Sequence, residues 1–253
     1  MGFNGIGAYT SQPGEIPWEL VTAYFLIALG VVFLYGKKTG GLRRFSTLDL
    51  VYIAVGGALA VVWEFNVGAL IRTPSFIDIG FLGRLFILFV VAALVRKAGA
   101  GMLTMFVFNL LSDQFHYGYG GEPFFFVYEM LTYGLFLDLA IVFTGGNIFG
   151  VKGGLGMRNP VMTTTATVTA QQQATTTSFR VSPAALAVIE GAIVGFLFAF
   201  PDPLFYTGFI APFLYGGVVD WSRILFTIVE FIPMDVVVGI IAALAGLRIS
   251  RAV

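Results

Sequence analysis

The chain reads as an all-α polytopic membrane protein, and three observations predict it. Seven stretches are long and apolar enough to cross a bilayer, near 17–36, 47–71, 80–95, 99–115, 125–144, 183–200 and 224–247, a hydrocarbon core about 30 Å thick needing roughly 20 apolar residues of helix. The basic residues between them fall on alternate connections. Composition agrees: 58% of the 253 residues are hydrophobic, only 11% are charged, and mean hydropathy is +0.90, far from the balance of a soluble domain.

Charge gives the expected topology. Lys37, Lys38, Arg43 and Arg44 follow the first span, and Arg96 and Lys97 follow the third. Lys152, Arg158 and Arg180 lie between the fifth and sixth, and Arg248 and Arg251 end the chain. Eleven of the 14 basic residues therefore share one side, leaving Arg72, Arg84 and Arg223. By the positive-inside rule this predicts an N-terminus outside and a C-terminus in the cytoplasm of a plasma-membrane protein. Residues 1–36 carry no basic residue before Lys37, so a removable signal is not expected there.

The connections divide the chain. Segment 1–46 holds the first span and a basic loop, KKTGGLRRFS, with Ser46 or Thr47 as helix cap and Asp49 in the next first turn. A membrane domain follows over 47–253. Arg96-Lys97-Ala98 joins spans three and four as a tight hairpin. The tract NPVMTTTATVTAQQQATTTS within an insertion at 159–180 has no helical apolar period, and reads as a cytoplasmic low-complexity segment. On an inverted topology its threonines become glycosylation candidates. Pro233 predicts a kink in the last span.

Several chemistries lack their residues. The glycine-rich GGNIFGVKGGLG has no lysine–hydroxyl pair for phosphate and Mg²⁺. One histidine and no cysteine supply neither a zinc cluster nor a disulfide, and no G-x-S-x-G turn is present. The expectation is a non-enzyme with no cofactor, and zero net charge argues against nucleic acid.

Polar chemistry gathers at the outer span ends. The second span ends in Trp63-Glu64-Phe65-Asn66. The fourth ends with Asn109, Asp113 and Gln114, then His116, Tyr117 and Tyr119, and the fifth opens with Tyr128 and Glu129. A carboxylate inside an apolar span faces a bundle interior or a polar cavity. Glu64, Asp113 and Glu129 are therefore candidates for binding a positive or donor-rich aromatic ligand, with rings supplying stacking and cation–π attraction. The alternative is that these acids pair with Arg72 and Arg84. Tyr206, Tyr215 and Trp221, with Asp202 and Asp220 in a long last outer loop, equally suit an interfacial belt. Asp78, Glu122 and Asp202 read as solvated loop acids. Asp138 is expected to meet Lys152 or Arg158, and Glu190 to meet Arg180. In the second span Ala54 and Ala58 share one small-residue face, and Gly56 and Ala60 a second. Such faces allow close helix approach, either within the bundle or to a partner.

These features together resemble the substrate-binding membrane subunit, the S component, of energy-coupling factor (ECF) vitamin transporters. Residues 47–253 look like its six-helix core, with one additional N-terminal transmembrane helix. Ala54 and Ala58 match the family's A-x-x-x-A docking motif. LVRKAGAGMLTMFVFNLL (94–111) and YEMLTYGLFLDLAIVF (128–143) are similar to the branch linked to hydroxymethylpyrimidine and thiamine uptake. The resemblance implies an outward-opening substrate site in the region of Trp63, Glu64, Asp113, His116, Tyr117, Tyr119, Tyr128 and Glu129. It also implies a coupling membrane subunit and two cytoplasmic ATPases as partners. The first helix and the Thr/Gln insertion depart from the family pattern. The competing expectation is a non-catalytic accessory subunit of a larger membrane complex, whose outer acids pair with arginines and leave no cavity.

Overall fold

A computed structural model describes residues 12–39, 44–71, 77–115, 123–151 and 182–252. Among these every regular element is helical, and five helical stretches are long and apolar enough to span a membrane: Trp18–Lys37, Thr47–Gly68, Pro123–Phe143, Pro183–Tyr215 and Trp221–Ala252. The chain is thus a helical, multi-pass membrane protein.

The first helix, α1, is Trp18–Thr39, and α2 is Thr47–Val61, continued by a π-helical segment, Val62–Gly68. Helices α3 (Ile79–Val95) and α4 (Ala100–Phe115) follow. Next come α5 (Pro123–Glu129), a second π segment (Met130–Gly134) and α6 (Leu135–Phe143). A single 3-10 turn, Ile148–Gly150, precedes α7 (Pro183–Phe198). The chain then runs through a third π segment (Asp202–Ile210), α8 (Ala211–Tyr215) and α9 (Trp221–Ala252).

Helix starts follow from local hydrogen bonding. Ser46 and Asp49 form the reciprocal capping box at α2: the Ser46 amide donates to Asp49 Oδ2 at 2.6 Å, and the Asp49 amide to Ser46 Oγ at 3.2 Å. Asp78, read from sequence as solvated, caps α3 by accepting from the Phe81 amide at 2.9 Å. Ser182 caps α7 with Pro183 behind it, and Asp220 accepts from the Ser222 and Arg223 amides at the start of α9. The α3–α4 hairpin turns at Arg96 and Gly99, whose φ angles are 53° and 95°; glycine takes that conformation without the Cβ penalty that Arg96 bears.

Two of the expected spans, 80–95 and 99–115, are matched to within one residue at each end. Helices α3 and α4 have 17 and 16 residues, and α3 is the most enclosed of all, with Leu85, Leu88, Phe89 and the run Val91 to Val95 buried. It packs on α2, α4 and α9. The bundle closes through glycines where backbones meet. A Cβ on Gly101 would lie 2.3 Å from the Gly134 carbonyl oxygen, and one on Gly191 2.5 Å from that of Gly239, contacts open only to a residue without a side chain. Helix α1 lays Val21, Phe25, Ala28 and Val32 against Leu135, Val142, Phe209 and Leu214, on the α6 side. Helix α9 runs unbroken through Pro233.

The structure bears on four further expectations. Residues 202–215, read as loop, are helical; Pro201 and Pro203, which signal a break in sequence, fall where a helix begins and proline costs no hydrogen bond. Asp138 is fully buried, and its two oxygens accept from the Gly101 and Met102 amides at 2.9 and 3.1 Å, satisfying the open first turn of α4; Lys152 and Arg158 lie outside the described residues. Glu190 accepts from the Gly150 amide at 2.9 Å, and Arg180 lies outside the described residues. Arg96, counted with the basic loop, is buried in the hairpin turn, whereas Lys97 pairs with Asp49 and donates to the Arg44 carbonyl.

Candidate functional site

Side chains from, or next to, three π-helical segments are joined in one network. Such segments concentrate at functional sites because their extra residue per turn redirects side chains. Glu64 stands in the first, Glu129 directly precedes the second, Tyr133 lies within it, and Asp202 opens the third.

Arg84, from the middle of the site-facing half of α3, joins them. Its guanidinium is 5% exposed. Nε lies 3.0 Å from Glu64 Oε2, and one terminal nitrogen donates to Glu129 Oε1 at 3.1 Å. The rings of Phe81, Phe108 and Tyr133 surround the guanidinium carbon at 5.2, 4.8 and 4.9 Å from their centroids. Charge-assisted bonds and cation–π contacts both gain strength away from water. The Tyr133 phenol donates in turn to the Asp202 carboxylate, so the network links α3 and α5 with all three π segments.

The predicted residues do not form one pocket. Glu64 and Glu129 come together, on Arg84. Successive helix residues point about 100° apart, and Trp63 accordingly leaves Glu64: its indole donates to the Ile79 carbonyl at 2.8 Å. There it lines an apolar groove of about 510 Å³ with Leu59, Val62, Val67, Ile79, Leu82, Gly83, Phe86, Ile87 and Val238. Gly83 makes room for that ring, since a Cβ would fall 1.6 Å from Trp63 Nε1. Tyr128 is buried beside Phe125 and Tyr206, at centroid distances of 5.7 and 6.4 Å. Asp113 is half-buried at the end of α4, and Asn109 ties α4 to α5 by donating to the Phe126 carbonyl at 3.2 Å. His116, Tyr117 and Tyr119 lie outside the described residues.

Ala54 is exposed and Ala58 half-buried, while Gly56, Gly57 and Ala60 are buried. Gly56 faces Val91 and Thr104, and Gly57 faces Val107 and Thr104. Of the two small-residue faces on α2, internal packing uses the glycine face and leaves the alanine face outward.

No family model, curated protein or solved structure matches the chain. Its chemistry is read from its own residues. Sequence reasoning found the two glutamates and named Arg84 only as an alternative partner; it missed Tyr133 and took Asp202 for a solvated acid. The available signals were Tyr133 four residues after Glu129, one helical turn on, and a lone arginine inside an apolar helix, which demands a counter-charge. The Arg84 guanidinium pairs with two carboxylates, and Tyr133 connects that group to a third, Asp202. Among the described residues no group of three or more His, Asp or Glu is arranged to hold a metal ion.

Proposed function

We propose that the chain is the substrate-binding subunit of an ECF-type transporter, taking up a small vitamin or precursor of thiamine or pyrimidine type. The observation that carries this reading is the acid-rich, ring-walled cluster of Arg84, Glu64, Glu129, Tyr133 and Asp202. Its surplus of carboxyl groups and its aromatic rings suit a ligand that is both cationic and aromatic.

In this reading the site opens outward and the C-terminus is cytoplasmic. The alanine face of α2 docks a coupling membrane subunit, which brings two ATPases. The outward Ala54 supports this, as does the position of α1, whose apolar stripe packs on the α6 side and leaves that face uncovered. Such a subunit binds and releases its ligand unchanged and carries out no catalysis of its own.

A second reading, an accessory subunit of a larger membrane complex, draws support from one specific observation. Glu64 and Glu129 are already paired with Arg84, and the apolar groove lies to the side of this pair. Equilibrium binding of a vitamin panel to the purified chain separates the two. Saturable binding of a thiamine- or pyrimidine-like compound supports the transport subunit, and absence of binding across the panel favours the accessory one.

A further inference from the structure

One buried acid takes no part in the cluster's pairing. Asp235, in α9 two residues beyond Pro233, is 1% exposed, and neither of its carboxyl oxygens meets a hydrogen-bond partner among the described residues. The other inward acids are all engaged. Glu64 and Glu129 hold Arg84, Asp138 holds two amides of α4, Asp202 accepts from Tyr133, and Glu190 accepts from the Gly150 amide.

Among the described residues, no basic side chain pairs with Asp235. From α7 it meets backbone, Gly195 being so close that a Cβ there would lie 2.3 Å from the Asp235 carbonyl oxygen. From α3, Phe81 stacks on Phe231 one turn earlier in α9, and Arg84 on that helix is held by its two glutamates. From the third π segment the ionisable neighbour is Asp202, which accepts from the Tyr133 phenol. An ionised carboxylate buried without donor or counter-ion is strongly disfavoured. Either a cation or a proton must neutralise it. Among the described residues no group of three or more His, Asp or Glu is arranged to hold a metal ion, whereas a proton needs neither a coordination shell nor a cavity.

We propose that Asp235 is a proton-binding site inside the membrane bundle. Uptake joins one proton from the medium to a carboxylate oxygen, and release reverses it; no electron moves and no other bond changes. The site stands whether or not the chain binds a vitamin.

Infrared spectroscopy of the full chain in lipid nanodiscs tests this. At neutral pH the wild type should show the carbonyl stretch of a protonated carboxyl that shifts on carbon-13 labelling of aspartate. D235N should lose one such band while remaining folded; D235S serves the same comparison if the amide is not accommodated. A wild type with no aspartic-acid band at neutral pH would overturn the proposal, as would a band undiminished in D235N and D235S. Loss of the band on adding sodium chloride at constant pH would assign the site to a metal cation and overturn it equally.

Discussion

Arg84 decides the balance of the interior. It is buried between two carboxylates and three rings, so its removal leaves two acids without a counter-charge. Breaking one partner out of a buried ion pair costs about 3 to 5 kcal/mol, while replacing the whole set by neutral groups costs far less. R84M is therefore expected to lower the unfolding midpoint in detergent sharply, and R84M/E64Q/E129Q to recover most of the loss. A triple variant no more stable than R84M would show that the pairing contributes little. At this scale the sequence showed which acids turn inward but not what they meet. Glu64 and Glu129 announced themselves as charges in apolar helices. The proline pair around Asp202 mimicked a loop, and Asp138 spends both oxygens on a helix start 36 and 37 residues away in the chain, a tertiary pairing with no local signature.

Helix α2 shows how one element serves two surfaces. Gly56, Gly57 and Ala60 seat it on α3 and α4, and Ala54 and Ala58 remain on the other side. Replacing both alanines by leucine adds bulk where a partner helix has to approach closely. The expected outcome is loss of co-purification with a coupling subunit and unchanged ligand binding; retained co-purification would remove the docking role. Both small-residue faces were legible from the four-residue spacing alone. The bounds of α3 and α4 were legible too: the readings 80–95 and 99–115 fall within one residue of Ile79–Val95 and Ala100–Phe115, because Arg96 and Lys97 interrupt the apolar run where the chain turns through Arg96 and Gly99. The three π segments have no compositional signal, because the same apolar residues populate ordinary helix.

For the whole molecule, the class of fold was readable from hydropathy, and five long apolar helices bear it out. Orientation rests on the basic residues and calls for its own measurement. The chain contains no cysteine, so a cysteine placed at Thr165 is a unique label. An impermeant reagent should leave it untouched on intact cells and modify it after lysis, as the positive-inside pattern predicts; labelling of intact cells would invert the topology. The central claim is that the acid and aromatic cluster reads positive charge, and calorimetry with a charged and a neutral ligand of matched shape tests it most directly. Glu129→Gln keeps the side chain's size and removes its charge. It should weaken binding of a cationic thiamine-like ring at least tenfold, equivalent to about 1.4 kcal/mol, while a neutral pyrimidine analogue changes little. Equal weakening of the two, or a wild-type chain that binds neither, would contradict recognition of charge at this site.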